Sequence, residues 1–378
     1  MVPRAAGKLM FVVAHNGARI CGGAERATVL LLAGLQSRGH RVLLLCNGDV
    51  VLAEAAKLGV PGKRCTIGGD IALSHAFRLS RLLRRLEPDV FLIGTFKKLA
   101  LAGLGARMAK VPRVVARVGL QSDTPRNVKY RFALRRWIHG VAVNAEQIAE
   151  PFAQLDGFGR EKVAVIHNGV RAPRRVSPTG ALRHDLGIAA DAPVIGTVAR
   201  LARQKRIDRL IGALAMLPVN VHCIIAGDGP RRRDLERQRD ELGLDNRLHL
   251  LGHREDVGDI LGALDLFVVT SDSEGMSNAM LEAMAFGLPV VSTRVSGAEE
   301  ALCSVDGIAT AGRVVDLSAT AVADAIHEIL MNPSLRSRLV DGARIRAARE
   351  FSYERMLDRW EAFLTITTSQ DTRSMSRA

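Results

Sequence analysis

Long hydrophobic runs are missing from this chain. No apolar stretch approaches the ~18–20 residues needed to cross a bilayer. The opening MVPRAAGKLMFVVAHNG has an apolar core too short for a signal peptide and better suited to a first strand. Cysteine is sparse: Cys21, Cys46, Cys65, Cys223 and Cys303 are scattered, odd in number and never in C-x-x-C spacing. That pattern excludes a disulfide framework or a cysteine zinc site, and reads as reduced, buried thiols of a cytoplasmic protein. Aromatic residues make up only 4%, and no RNP-like aromatic strand, zinc spacing or basic zipper is visible, so nucleic acid is not expected as a partner. Acids are what the N-terminal half lacks. Residues 1–170 hold 26 Lys/Arg against 11 Asp/Glu, and residues 171–378 hold 27 against 28, so +15 and −1 make up the net +14. One half therefore carries the whole excess, which by charge alone points to an anionic partner there: a membrane surface, an anionic glycolipid or nucleic acid.

What is present is a regular alternation. Strand-like runs (Leu9–Ala14, Arg41–Cys46, Asp89–Ile93, Arg113–Val118, Val141–Asn144, Val163–Ile166) are separated by helical stretches such as Glu25–Arg38, His75–Leu86 and Val128–Trp137. This βαβ rhythm predicts a parallel sheet covered on both faces. It breaks at RAPRRVSPTG, residues 171–180, expected as an interdomain linker. A second series follows: Val194–Val198, His222–Ala226, Leu248–Leu251, Leu266–Val269 and Pro289–Thr293, with helices Ile207–Met216, Leu235–Glu241 and Ala321–Met331. The expected division is thus an α/β domain over 1–170, a second over 181–352, a last helix over 353–364 and a flexible tail over 365–378. With 378 residues, each domain can bury its own core.

The stretch 265–300, DLFVVTSDSEGMSNAMLEAMAFGLPVVSTRVSGAEE, concentrates the chemistry. A buried strand is followed by a polar turn, a helix from Asn278 to Phe286, Gly287 as a left-handed helix terminator and Pro289 beyond it. In an open parallel sheet, ligands bind at the carboxyl ends of the strands. The first helical turn offers N–H groups and a positive dipole end suited to phosphate. Glu274 and Glu282 stand eight positions apart across it. A carboxylate beside an anion site makes sense when each takes a different part of one ligand. A nucleotide sugar fits, with its sugar on Glu274, its diphosphate on the Gly275-Met276-Ser277-Asn278 turn and its ribose on Glu282. Upstream, IGTVARLARQKRID follows a strand and supplies Arg200 and Lys205, a two-point and a point cation for a diphosphate. Gly22-Gly23, between the first strand and its helix, would let backbone approach a ligand closely.

The pattern EGMSNAMLEAMAFGLPVV resembles the Glu-x7-Glu signature of family 4 retaining glycosyltransferases, which have the GT-B fold: two doubly wound Rossmann-like domains facing across a cleft. GTVARLARQKRID is similar to the family's Arg/Lys segment, and GGAER to its N-terminal loop. Further matches are IHNGV before the linker, AGDGP after a strand, and LGH at 251–253. The resemblance implies that Arg200 and Lys205 stabilise the departing diphosphate and that Glu274 orients the donor sugar. It also puts Gly22 and Gly23 on the donor phosphates, Gly252 and His253 near the base, and the last helix crossing back to the first domain. The two cations would make a metal unnecessary: there is no D-x-D, and Asp272-Ser-Glu274 is a D-x-E. One departure concerns the acceptor side. Many family members carry a histidine after the strand corresponding to 113–118, whereas RVVARVGLQSD has none, leaving Arg117 and Asp123 as acceptor-side candidates. The expected reaction is hexose transfer from a UDP- or GDP-sugar to a saccharide or lipid-linked acceptor of the cell envelope. Its setting would be the inner face of the cytoplasmic membrane, reached through Arg78, Arg81, Arg84, Arg85, Lys129, Arg131, Arg135 and Arg136 on two amphipathic segments. The alternatives are a nucleotide-sugar epimerase or phosphorylase of the same fold and, behind these, a basic nucleic-acid-binding protein. A glycoside hydrolase with paired carboxylates leaves Arg200 and Lys205 without a task.

Overall fold

The computed structural model describes residues 8–15, 22–66, 73–178, 180–303 and 309–366. The chain forms two compact units, one of residues 1–167 and 356–378, the other of residues 168–355.

In the first unit, seven strands run parallel: β1 (Met10–Ala14), β2 (Arg41–Cys46), β3 (Gly62–Arg64), β4 (Val90–Ile93), β5 (Arg113–Val118), β6 (Gly140–Val143) and β7 (Val163–Val165). Their order is β3-β2-β1-β4-β5-β6-β7. Strands such as MFVVA and GVAV are buried at every position, as expected when helices cover both faces of a parallel sheet. The edge strand β3, sequence GKR, is fully exposed and carries no hydrophobic signal. The chain order reverses between β1 and β4.

The second unit repeats the plan with β8 (Val194–Val198), β9 (His222–Ala226), β10 (Leu248–Gly252), β11 (Leu266–Val269), β12 (Val290–Thr293) and β13 (Gly312–Val315). The order is β10-β9-β8-β11-β12-β13, all parallel, with its reversal between β8 and β11. Two apolar clusters hold this unit, one around Phe267, Leu281, Met284 and Phe351 and the other around Leu210, Ile225, Ile326 and Ile329. The fold class is that of the sequence reading: two doubly wound Rossmann-like sheets.

The boundaries differ by a few residues from those expected. The division falls at His167/Asn168 rather than after residue 170. Residues 171–178, expected as a linker, belong to the second unit, where Val176 and Ser177 N–H groups donate to Asp259 at 2.6 and 3.0 Å. Pro and Gly composition marks irregular backbone, and irregular backbone can still be pinned by one carboxylate. Tail residues 367–378 and Cys21 lie outside the described residues. Of the other cysteines, Cys46 and Cys223 are buried, Cys65 and Cys303 only half-buried, and all four are free.

The last helix, Tyr353–Thr365, ends in the first unit. There Trp360, Phe363 and Leu364 are buried, Arg113 donates to the Phe363 carbonyl at 2.7 Å, and Arg38 donates to Asp358 and Glu361 at 2.6 Å each. His40 Nε2 lies 2.8 Å from the second Glu361 oxygen. These hydrogen bonds, from His40 first and Arg38 second, hold the Glu361 carboxyl below the usual carboxylate range. A depressed carboxylate contributes stability above its unfolded pKa of about 4.3 and loses it as pH falls through the folded value. Glu361→Gln is therefore expected to lower stability by about 1 kcal/mol at neutral pH. The difference from wild type, followed by thermal melts against pH, should close in acid. A constant gap down to acid would show that ionisation is not the source.

Candidate active site

The reversal between β8 and β11 opens a crevice at the strand carboxyl ends, where doubly wound sheets bind ligands. A cavity there is lined by Thr197, Ala199, Lys205, Thr270, Ser271, Glu274 and Ser277, among others. Lys205 Nζ and the Glu274 carboxylate form an ion pair inside it, and Ser271 Oγ donates to the same carboxylate oxygen at 2.6 Å. Glu274 is 7% exposed, so a charged partner is what makes its burial tolerable.

Local structure explains how two loops 69 residues apart meet. After β11 the chain is pinned from several sides. Thr293 Oγ1 donates to the Ser271 carbonyl at 2.7 Å, Gln204 Nε2 to the Ser273 carbonyl at 2.6 Å, and Thr270 Oγ1 to the Lys205 carbonyl at 3.1 Å. The buried Arg209 donates to the Thr270 carbonyl at 2.6 Å and to Asp272 at 2.7 Å, while Arg206 also reaches Asp272 at 3.1 Å. Arg206 has φ 48, a left-handed conformation uncommon without glycine. Ion pairs to both Asp208 and Asp272 accompany it. Arg209, Arg206, Gln204, Thr270, Ser271 and Thr293 were not singled out from the sequence. Only Asp272, as part of D-x-E, was a visible cue.

Helix Asn278–Phe286 begins where expected, with the Ser277 side chain as N-cap, and ends at Gly287 with φ 99. The backbone N–H groups of Gly275, Met276 and Ser277 donate no hydrogen bond among the described residues. That leaves a turn of open N–H donors, able to accept an anion, beside the Lys205–Glu274 pair. Met276 contributes backbone only. Its side chain is 4% exposed in the core, and Asn168 Nδ2 donates to its carbonyl at 2.8 Å. Glu282 is half-buried one turn further along.

Arg200 is exposed at the start of the Lys205 loop and makes no ion pair among the described residues. Of the two expected cations, Lys205 is the one paired with Glu274. The Arg200 loop is clamped against its neighbour: Leu201 N–H donates to the Asp228 carbonyl at 3.0 Å and Arg231 N–H to the Leu201 carbonyl at 3.0 Å. Gly227 accommodates this approach with φ +140, since a Cβ there would lie 1.9 Å from the Ala199 carbonyl oxygen. Gly227 N–H in turn donates to the Gly252 carbonyl at 2.7 Å, which ties the end of β10 to the same rim. The following His253 is exposed.

In the first unit, described by itself, a second group gathers at the strand carboxyl ends. Gly22 N–H donates to Glu25 at 3.1 Å at the start of helix Gly23–Ser37. Arg117, at the end of β5, donates to Thr28 Oγ1 of that helix at 3.2 Å. Burial pushes the Arg117 guanidinium down to about 10, with Glu25 opposing the shift. Burial raises the Asp123 carboxyl, partly offset by Lys97. Asn144, which follows β6, was not expected. It is 6% exposed, and its Oδ1 has no hydrogen-bond partner among the described residues. The sequence cue was only a polar residue closing an apolar strand.

Comparison with known proteins agrees with this fold. A family model for glycosyl transferases of group 1 matches residues 179–346, and one for glycosyltransferase family 4 matches residues 21–174. The lipopolysaccharide core biosynthesis glycosyltransferase LpsE of Rhizobium meliloti is 30% identical over 354 residues, covering 92% of this chain and 96% of its own. LpsD of the same organism is 28% identical, covering 89% and 93%. In fold, the crystal structure of Anabaena Alr3699/HepE in complex with UDP-glucose is similar at a TM-score of 0.81, with 23% identity and coverage of 95% of this chain and all of that one. With both units matched by family models and a relative aligned along nearly its whole length, the chain belongs to glycosyltransferase family 4, the group 1 glycosyl transferases, and has their GT-B fold.

Proposed function

We propose that this glycosyltransferase moves a hexose from a UDP- or GDP-sugar, with retention at the anomeric carbon, to a saccharide or lipid-linked acceptor in cell-envelope glycan synthesis. The observation that carries the reading is the Lys205–Glu274 pair beside the unpaired Gly275, Met276 and Ser277 N–H groups at the β8/β11 crevice. A cation and backbone donors suit a diphosphate, and an adjacent carboxylate suits sugar hydroxyls. As the bond to the anomeric carbon breaks, negative charge grows on the leaving nucleotide. Lys205, the helix N-terminus and Arg200 would take it up, and such preorganised donors are each worth about 10²–10³ in rate. Glu282 would hold the ribose, with Gly252 and His253 toward the base. Gly22 and Gly23 would face the donor phosphates, and Arg117 and Asp123 would serve the acceptor.

Metal independence is part of the proposal. Both carboxylates of Asp272-Ser-Glu274 are engaged by cations, Arg206 and Arg209 on one and Lys205 on the other, which suits a charge-compensated loop better than a cation site. The two relatives named above act in lipopolysaccharide core biosynthesis, which favours a core oligosaccharide as acceptor. No helix among the described residues is long and apolar enough to cross a membrane. The basic excess of residues 1–170 is what supports the proposed setting, a peripheral position on the inner face of the cytoplasmic membrane.

A panel of UDP-, GDP- and ADP-sugars, scored for thermal stabilisation and for nucleotide release with a lipopolysaccharide-core acceptor, tests this. One nucleotide is expected to stabilise the protein by about 2–3 kcal/mol at a hundredfold excess over its Kd, with release unaffected by EDTA. Stabilisation by none of the three would overturn the donor assignment.

A further inference from the structure

Helices Leu73–Leu86 and Val128–Trp137 pack on either side of helix Leu99–Met108, which is sunk between them. Small residues permit this: a Cβ at Gly105 would lie 3.0 Å from the Ala76 carbonyl, and one at Gly103 would lie 3.4 Å from Trp137 Cβ. Together the three helices carry eight arginines and one lysine and no acid. A solvated protein surface normally intersperses both signs.

The two flanking helices also repeat one outward strip. Leu73, Phe77 and Arg81 stand at i, i+4 and i+8, and so do Val128, Phe132 and Arg136. Residues at this spacing share a helix face. The apolar members are 60%, 59%, 79% and 53% exposed for Leu73, Phe77, Val128 and Phe132, and Phe77 and Phe132 are the only exposed phenylalanines among the described residues. Arg78, Arg81, Arg85, Arg131 and Arg136 are exposed and engage no acid or carbonyl among the described residues.

We propose that this face docks on an anionic lipid bilayer, with Phe77 and Phe132 entering the headgroup boundary and the arginines on phosphate. This deepens the proposed peripheral setting and rests on it, naming the surface and the two anchors. Aliphatic Leu73 and Val128 beside each ring favour an acyl boundary. A nucleic-acid surface would present aromatics for stacking without exposed aliphatic neighbours. Helices with a cationic face and an aromatic-aliphatic strip lie in the interface plane and respond to anionic lipid.

The experiment is co-sedimentation of the full chain with phosphatidylcholine vesicles and with phosphatidylcholine/phosphatidylglycerol vesicles, no donor present, so that its result does not depend on glycosyl transfer. Binding is expected to the anionic vesicles alone and to weaken with salt. Arg81→Gln with Arg136→Gln should weaken it roughly fivefold per cation removed. Phe77→Ser with Phe132→Ser should abolish it while circular dichroism and donor-nucleotide stabilisation stay unchanged, since both rings are exposed. Equal binding to neutral vesicles, no binding, or full binding by the Phe double variant would overturn the proposal. So would duplex DNA that binds as tightly as the vesicles and leaves the Phe variants indistinguishable from wild type.

Discussion

Replacing Glu274 by Ala is expected to cut turnover by about 10²–10³, while UDP or GDP binding survives. The carboxylate sits 7% exposed, receives Ser271 Oγ at 2.6 Å and shares an ion pair with Lys205. If its task is to grip the sugar, its loss removes an interaction with the moving part of the donor and leaves the diphosphate contacts in place. The substitution also releases Lys205 from its internal partner. Nucleotide affinity is thus expected to hold or rise, because the ammonium no longer leaves a carboxylate to meet a phosphate. Single-turnover rates and nucleotide Kd on the same preparation separate the two effects. Retained turnover would falsify the assignment. A parallel loss of nucleotide binding would mean that Glu274 holds the loop rather than the substrate.

Gly227→Ala is the second large effect. The added Cβ would lie 1.9 Å from the Ala199 carbonyl oxygen, and φ +140 is a conformation that L side chains rarely adopt. Backbone strain there and steric overlap each cost about 1–3 kcal/mol, so the chain should lose about 3 kcal/mol or more. The neighbour that must move is the Ala199–Leu201 loop, which presents Arg200. Donor binding should therefore weaken along with stability, read as a lower Tm and a smaller shift on adding nucleotide. Ala226→Gly, one residue earlier on the buried strand, controls for general destabilisation: it should lower Tm with the nucleotide shift preserved. A Gly227→Ala protein with wild-type melting would show that the loop yields more easily than its hydrogen bonds imply.

The architecture could be read from the chain because it rests on local periodicity. Uninterrupted apolar strands such as VFLI and LFVV, and helices as regular as Asn278–Phe286 with Ser277 and Gly287 at its ends, announce themselves within ten residues. Strands β3 and β13 do not. The first, GKR, lies at a sheet edge with no buried side chain, and the second, GRVV, is mostly half-buried. The cations of the candidate site were visible as types, but their pairing was not. Lys205 meets Glu274, and Arg209 meets Thr270 and Asp272, across separations of 61–69 residues. No local pattern encodes such contacts, because they follow from adjacency of β8 and β11 in the sheet. Arg200 shows the converse: a motif position recognisable in sequence, yet exposed and without an ion pair among the described residues.

The return of the chain to its first unit at Met356 has a consequence for biosynthesis. Emerging from the ribosome in order, residues 8–166 can build their sheet, but the groove that receives Trp360 and Phe363 stays empty until the whole second unit has been translated. Nascent protein thus passes through a stage in which the first-made lobe is the last to be finished, with Arg38, His40 and Arg113 awaiting their carboxylates and carbonyl. Premature termination within the final helix would leave the older lobe, rather than the younger, exposed to quality control.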